Sequence, residues 1–138
     1  VSTDLQRLID VTREALNVGI RSARSGARVG DIGAAIQNYA EGQSNYGIVR
    51  EYVGHGIGRN LHEDPSIPNF GQAGHGLPLR ENMCIAIEPM LKIGGCETRV
   101  LDDGWTVVTA DGNHSAPFEH TIAVTEDGPE VLTTLEKN

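Results

Sequence analysis

The chain has 138 residues, enough for one domain spanning 1–138; it is 38% apolar but only 4% aromatic, so a core must rest on Leu, Ile, Val and Ala. Charged residues make up 22% in mixed sign, which excludes a disordered chain, and a net charge of −8 argues against nucleic acid as a main partner. No run approaches the ~18 apolar residues of a membrane span, the N-terminus has no signal-like core, and Cys84 and Cys96 make no disulfide framework, so a reducing, cytoplasmic setting is expected.

Leu5, Leu8, Ile9, Leu16, Ile20 and Ala23 recur at spacings of three and four, which predicts a helix over Leu5 to Ser25 with Gly26 as its stop. A second amphipathic helix is predicted from Asp31, with Ile32, Ala35, Ile36 and Tyr39 inward, fraying near Gly42. Both read as scaffold. Ile48 to Val53 turns β-branched and reads as a short strand leading into a tight loop, Gly54-His55-Gly56-Ile57-Gly58. Asp64 to Leu79, rich in Pro, Gly, Asn and Gln, reads as an irregular surface segment.

Cys84 to Leu91 reads as a strand buried on both faces except for Glu88, with Pro89 marking a bulge or strand end. A meander follows: strands over 98–101, 105–110, 119–125 and 130–132, with turns at Asp103-Gly104, Asp111-Gly112 and Asp127-Gly128. Two helices followed by an antiparallel sheet make an α+β domain.

A carboxylate inside an apolar strand is costly unless it is paired, protonated or bound to a metal. Glu88 follows Ile85, Ala86 and Ile87, and Glu119 heads a strand reading Thr-Ile-Ala-Val. A buried salt bridge would explain either one singly. Together with His55 they offer one imidazole nitrogen and several carboxylate oxygens, a mixed set suited to Mn, Fe, Co or Zn. His62-Glu63 does not begin an HExxH helix, because position 66 is serine, and neither a GxSxG elbow nor a GxxxxGK loop is present. His75 and His114 sit in polar surroundings and read as surface residues. His120 alternates away from Glu119, so it is expected to pack or hydrogen-bond.

The ordered set GHGIGRNLHEDP, IAIEPM, DGWTV and FEHTIAVT closely resembles the C-terminal half of a type I methionine aminopeptidase and covers essentially the whole chain. The family's two metal-binding aspartates belong to an N-terminal half with no counterpart here. The resemblance implies half of a pita-bread fold, with two helices on a curved antiparallel sheet, and removal of the initiator methionine from nascent peptides. It also implies two divalent metal ions in the complete enzyme, with His55, Glu88 and Glu119 as ligands and Glu119 bridging. In that family the position of His62 contacts the scissile peptide and steadies the tetrahedral intermediate, and that of Glu88 shuttles a proton. Trp105 would line the pocket for the methionine side chain; Leu61 stands where relatives often place an aromatic, and Pro117 where many have glutamine.

With only three such ligands, the chain by itself is expected to bind metal weakly and to show little or no peptidase activity. Proline dipeptidases and Xaa-Pro aminopeptidases share the GHG and IEP patterns, but FEHT and Met90 favour the methionine enzyme. A non-catalytic protein-binding module of the same fold is the third reading, although such modules typically lose the ligands. A half-fold would also leave sheet edge uncovered, which invites pairing with a missing half or with a second copy.

Overall fold

The computed structural model describes residues 3–43, 46–93, 98–100, 107–109 and 115–133. Helix α1 (Thr3–Arg21) buries Leu8, Val11, Ala15, Leu16 and Ile20 along one stripe. Each of the Leu, Val and Ile side chains among them contributes about 1.5–3 kcal/mol if its burial is complete. The helix ends four residues before the predicted Ser25. Ser22 and Ala23 donate to the carbonyls of Gly19 and Ile20, tightening the last turn, and the chain reaches Gly26, at φ +89°, as a separate turn.

Helix α2 (Val29–Glu41) begins two residues earlier than expected. Asp31 is not its first residue but its lock: one carboxylate oxygen accepts the Arg28 N–H at 2.7 Å and the other accepts the Gly74 N–H at 2.7 Å. Those two donors hold the Asp31 carboxyl below the usual carboxylate range. The Asp31→Ala variant should lose about 1 kcal/mol of stability in urea unfolding, the usual worth of an N-terminal helix lock.

The strands are β1 (Tyr46–Ile48), β2 (Gly54–Ile57), β3 (Glu63–Ile67), β4 (Cys84–Ile87), β5 (Met90–Ile93), β6 (Thr98–Val100), β7 (Val107–Thr109), β8 (Ser115–Pro117), β9 (His120–Thr125) and β10 (Gly128–Val131). They form three antiparallel groups, ordered β1-β5-β8, β10-β9-β4-β2-β3 and β6-β7. Helix α1 packs against β5 and β8, and α2 against β1 and β3. Ile32 and Ile36 of α2 and Ile48, Ile67, Ile85, Ile87, Leu91 and Ile122 of the strands complete one aliphatic core. The α+β layering and the aliphatic character of the core follow the sequence reading; several boundaries differ.

No strand runs over 48–53 as expected: β1 ends at Ile48, and the residues after it cross from the first sheet to the second. The strand expected over 84–91 is likewise divided at Glu88-Pro89, as Pro89 foretells. Asp64 to Leu79 is not wholly irregular surface: Glu63–Ile67 is the edge strand β3, where Pro65 is tolerated, and Ile67, Asn69 and Leu79 are buried. The β9–β10 hairpin turns at Glu126-Asp127, one residue before the predicted pair, because Gly128 already faces Thr125 in the ladder. The expected turns at 103–104 and 111–112, with Cys96 and His114, lie outside the described residues.

Three long antiparallel stretches thus pass from one sheet into the other: 46–57 as β1 then β2, 84–93 as β4 then β5, and 115–125 as β8 then β9. Each is interrupted on the way. Two of the interruptions fit together: Ile87 faces His120 on one side of the gap and Met90 faces Pro117 on the other, in one unbroken register. The Phe118 N–H donates to the Pro89 carbonyl at 3.1 Å within the gap. Glu88 and Glu119, the only other pair between those anchors, therefore stand opposite each other. The third interruption is longer. The chain takes seven steps from Ile48 to His55 while its partner takes five from Leu91 to Ala86, so two extra residues are taken up there.

Candidate metal site

His55 is presented by a strand, not by the expected loop. Gly54 and Gly56 are glycines because partner strands come too close for a side chain: a Cβ on Gly54 would run into the Ala86 carbonyl, and one on Gly56 into the Asp64 carbonyl. Gly58 serves a different purpose, since a Cβ there would overlap the Glu63 carboxylate. That carboxylate also accepts the Asn60 N–H at 3.1 Å and closes the turn carrying Leu61 and His62.

The His55 ring lies 3.0 Å from the Gly56 carbonyl through Nδ1. A carbonyl only accepts, so Nδ1 is the donor in this contact; in the neutral ring that leaves the Nε2 lone pair for a cation, the arrangement found in metal-binding imidazoles. Nε2 is 4.0 Å from Glu88 Oε1 and 3.9 Å from Glu119 Oε2. Donor atoms of all three residues lie within 4.8 Å of one another. Two donors on opposite sides of one ion, each about 2.1 Å from it, stand about 4.2 Å apart. The two separations from Nε2 fall within that reach, and the donor set is therefore suited in type and spacing to a divalent cation.

The electrostatics point the same way. Burial, the facing Glu119 side chain that shares a hydrogen bond with it, and the Glu119 charge together push the Glu88 carboxyl up to about 8. Like charges directly opposite on neighbouring strands are destabilising. A proton or a cation must sit between them. His55 and Glu88 side chains are 12% and 29% exposed and Glu119 is 52% exposed, so the site is deep on the imidazole side and open at Glu119.

The His62 ring stacks on that of His55, centroid to centroid 3.9 Å and tilted by 35°. His55 and His62 border one cleft of about 660 Å³ with Val53, Asn60 and Ser66. Glu88 and Glu119 border a second, of about 330 Å³, with Tyr52, Met90, Pro117 and Phe118. The three donors stand where the two clefts meet. Leu61, beside His62, is 70% exposed. Trp105 lies outside the described residues. His75 is exposed, and His120 Nδ1 lies 2.8 Å from Thr133 Oγ1, in keeping with its expected place off the metal cluster. Among the described residues this is the one group of three such side chains spaced to hold an ion.

The residue that sequence reasoning missed is Asn69. It is fully buried, and its Nδ2 donates to the carbonyls of Tyr52 at 3.4 Å and Glu88 at 3.2 Å. Its only sequence signal is an asparagine between Pro68 and Phe70, which reads as a turn.

One imidazole nitrogen and two carboxylates brought together beside the interruptions of the antiparallel sheets are a donor set of the kind that holds a divalent cation. The chain belongs to metallopeptidase family M24, which it matches over residues 1–126. It is 53% identical over 131 residues to methionine aminopeptidase A of Synechocystis sp., covering 95% of this chain and 51% of the relative. It is 48% identical over 135 residues to methionine aminopeptidase 1 of Bacillus subtilis, covering 98% and 54%. The crystal structure of methionine aminopeptidase from Rickettsia prowazekii superposes with a TM-score of 0.92 at 52% identity, covering 97% of this chain and 54% of that one. The X-Pro aminopeptidase from Thermotoga maritima shares the fold, with a TM-score of 0.71 at 22% identity over 99% of this chain and 33% of that one. The fold is the pita-bread fold expected from the motifs, and the chain spans about half the length of the curated relatives it matches. None of the helices among the described residues is long and apolar enough to cross a membrane.

Proposed function

We propose that these residues form one wall of the active site of a methionine aminopeptidase, and that the protein carrying them removes methionine from the N-terminus of nascent peptides in the cytoplasm. The observation that supports it most is the convergence of His55, Glu88 and Glu119 within 4.8 Å, in a chain about half identical to methionine aminopeptidases. An intact donor set also speaks against a non-catalytic binding module.

His55 Nε2 and the carboxylates of Glu88 and Glu119 would hold the divalent cation, with Mn, Fe, Co and Zn all compatible and two ions in the complete site. When bound, it supplies a Lewis acid that polarises the scissile carbonyl and lowers the pKa of water. Glu119, the most open of the three, would be the ligand shared between two ions. Glu88, facing the smaller cleft, would take the proton of the attacking water and return it to the departing amine. His62, stacked beside His55 at the larger cleft, would donate an N–H to the oxygen on which charge develops. Trp105 and Leu61 are assigned to the pocket for the methionine side chain.

The His62→Ala variant of the full-length protein should lose about 10²–10³ in kcat, the usual effect of removing one oxyanion donor, with metal content unchanged. Steady-state kinetics with parallel metal analysis decide this. The substrate assignment is tested by offering the full-length protein Met-Ala-Ser and Ala-Pro-Ser. Free methionine alone is expected, whereas release of alanine with the methionyl peptide untouched assigns it to the X-Pro class. The described residues supply three donors, fewer than two ions require, and the 138-residue chain by itself should bind Co²⁺ weakly and release little methionine. Calorimetry finding two tight sites, together with turnover, contradicts that expectation.

A further inference from the structure

We propose that Asn69 is a positioning residue for the metal site: its buried carboxamide fastens the two interrupted strands that carry His55 and Glu88 and so sets the separation of imidazole and carboxylate. The proposal rests on reading His55, Glu88 and Glu119 as ligands of a cation.

The physical need is plain at the interruption. Between Ile48 and Gly54 the chain leaves the ladder, and between Ile87 and Met90 its neighbour does the same. The Tyr52 and Glu88 carbonyls fall in these gaps. A carbonyl left buried and unpaired costs about 1–3 kcal/mol. Asn69 Nδ2 has two hydrogens and serves both carbonyls, at 3.4 and 3.2 Å. Its own Oδ1 is buried without a partner among the described residues, a cost that its two donated bonds must offset. One of the two carbonyls belongs to a ligand residue, and the other lies three residues before His55. A single side chain therefore joins the backbone of Glu88 to that of Tyr52, three residues before His55, within the gaps.

Asn69 is itself firmly seated. The Pro68 and Phe70 carbonyls lie directly on Gly33 of α2, where a Cβ would collide with Phe70. The Arg50 guanidinium covers the Phe70 ring at 4.3 Å. The position of the carboxamide is thus referred to a helix outside the site.

The test compares Co²⁺ binding by calorimetry in the full-length protein and in its Asn69→Ala and Thr12→Ala variants. Thr12 is a buried residue of α1 whose hydroxyl donates to the Leu8 carbonyl at 2.7 Å, so its loss controls for removal of a buried hydrogen bond. Both variants should melt at lower temperature, but only Asn69→Ala should weaken Co²⁺ binding, by about 10–100-fold, as loss of a ligand-orienting contact does. Wild-type affinity in folded Asn69→Ala overturns the proposal. If the full-length protein does not bind Co²⁺, the ligand reading fails by itself. The positioning role is then decided in metal-free crystals: a His55 Nε2 to Glu88 Oε1 separation still near 4.0 Å in Asn69→Ala overturns it, and one wider by about 1 Å or more supports it. Where Asn69→Ala fails to fold, hydrogen exchange of the wild-type side-chain amides decides. The Asn69 Nδ2 protons should exchange far more slowly than those of exposed Gln72, and equal rates overturn the role.

Discussion

Replacing Glu119 with glutamine should all but abolish methionine release by the full-length protein, by about 10³-fold or more, and yet make the metal-free fold more stable at pH 8. The first effect follows from losing one of three donors around the cation: the amide keeps the shape but withdraws the charge and one acceptor oxygen. Ligand loss should exceed the 10–100-fold typical of supporting contacts. The second effect follows from the register. Glu119 stands opposite Glu88, and its hydrogen bond and charge are two of the three causes that raise the Glu88 carboxyl to about 8. With Glu119 neutral, only burial opposes ionisation of Glu88. Activity assays and urea unfolding on the same variant read the two effects, and a variant that is both inactive and less stable at pH 8 contradicts this account of the pair.

The metal-free chain should lose about 1–3 kcal/mol of stability as pH rises from about 5 to 8, reduced from the full worth of the shift because the Glu88 side chain is 29% exposed and so partly screened. The sign follows from proton counting. The folded state holds a proton on Glu88 up to about 8, whereas the unfolded chain releases it near the ordinary 4.5. Between those values folding takes up a proton, so stability falls with pH and levels off above 8. Glu14 and Asp31, whose carboxyls are lowered by their partners, act oppositely and lose their contribution as pH falls below the ordinary carboxylate range. Urea titrations at half-unit pH steps should show the alkaline loss in wild type and its disappearance in Glu88→Gln. Added Co²⁺ should restore stability at pH 8, with close to one proton released for each ion bound when Glu88 is initially protonated. A flat profile between pH 5 and 8 removes the basis for placing the proton on Glu88.

What the sequence disclosed and what it withheld divide along physical lines. The helix stripes were legible because periodicity is local: Leu8, Leu16, Ile20, Ile32 and Ile36 all face the core. Glu88 and Glu119 were legible as misfits, acids beside apolar strand residues. Their exact opposition was not, because it depends on the register of segments 31 residues apart in the chain. The GHGIG stretch misled for a specific reason. Glycine is a turn former by propensity, but here Gly54 and Gly56 fill a strand because the Ala86 and Asp64 carbonyls leave no room for a side chain. Asn69 was hidden for a related one. Its role is defined by two carbonyls that lose their ladder partners, and no local pattern around Pro68-Asn69-Phe70 reports on that.

The unbroken register from Ile87–His120 through Met90–Pro117 also restricts how the chain can change in length. Inserting or deleting a single residue at 88–89 or at 118–119 would turn one acid away from the other, however benign the new residue. The connection between the two strands faces no such restriction, because its length does not enter the alignment of the acids. Gains and losses of residues among relatives should therefore accumulate in that connection and be absent from the two short gaps beside the acids.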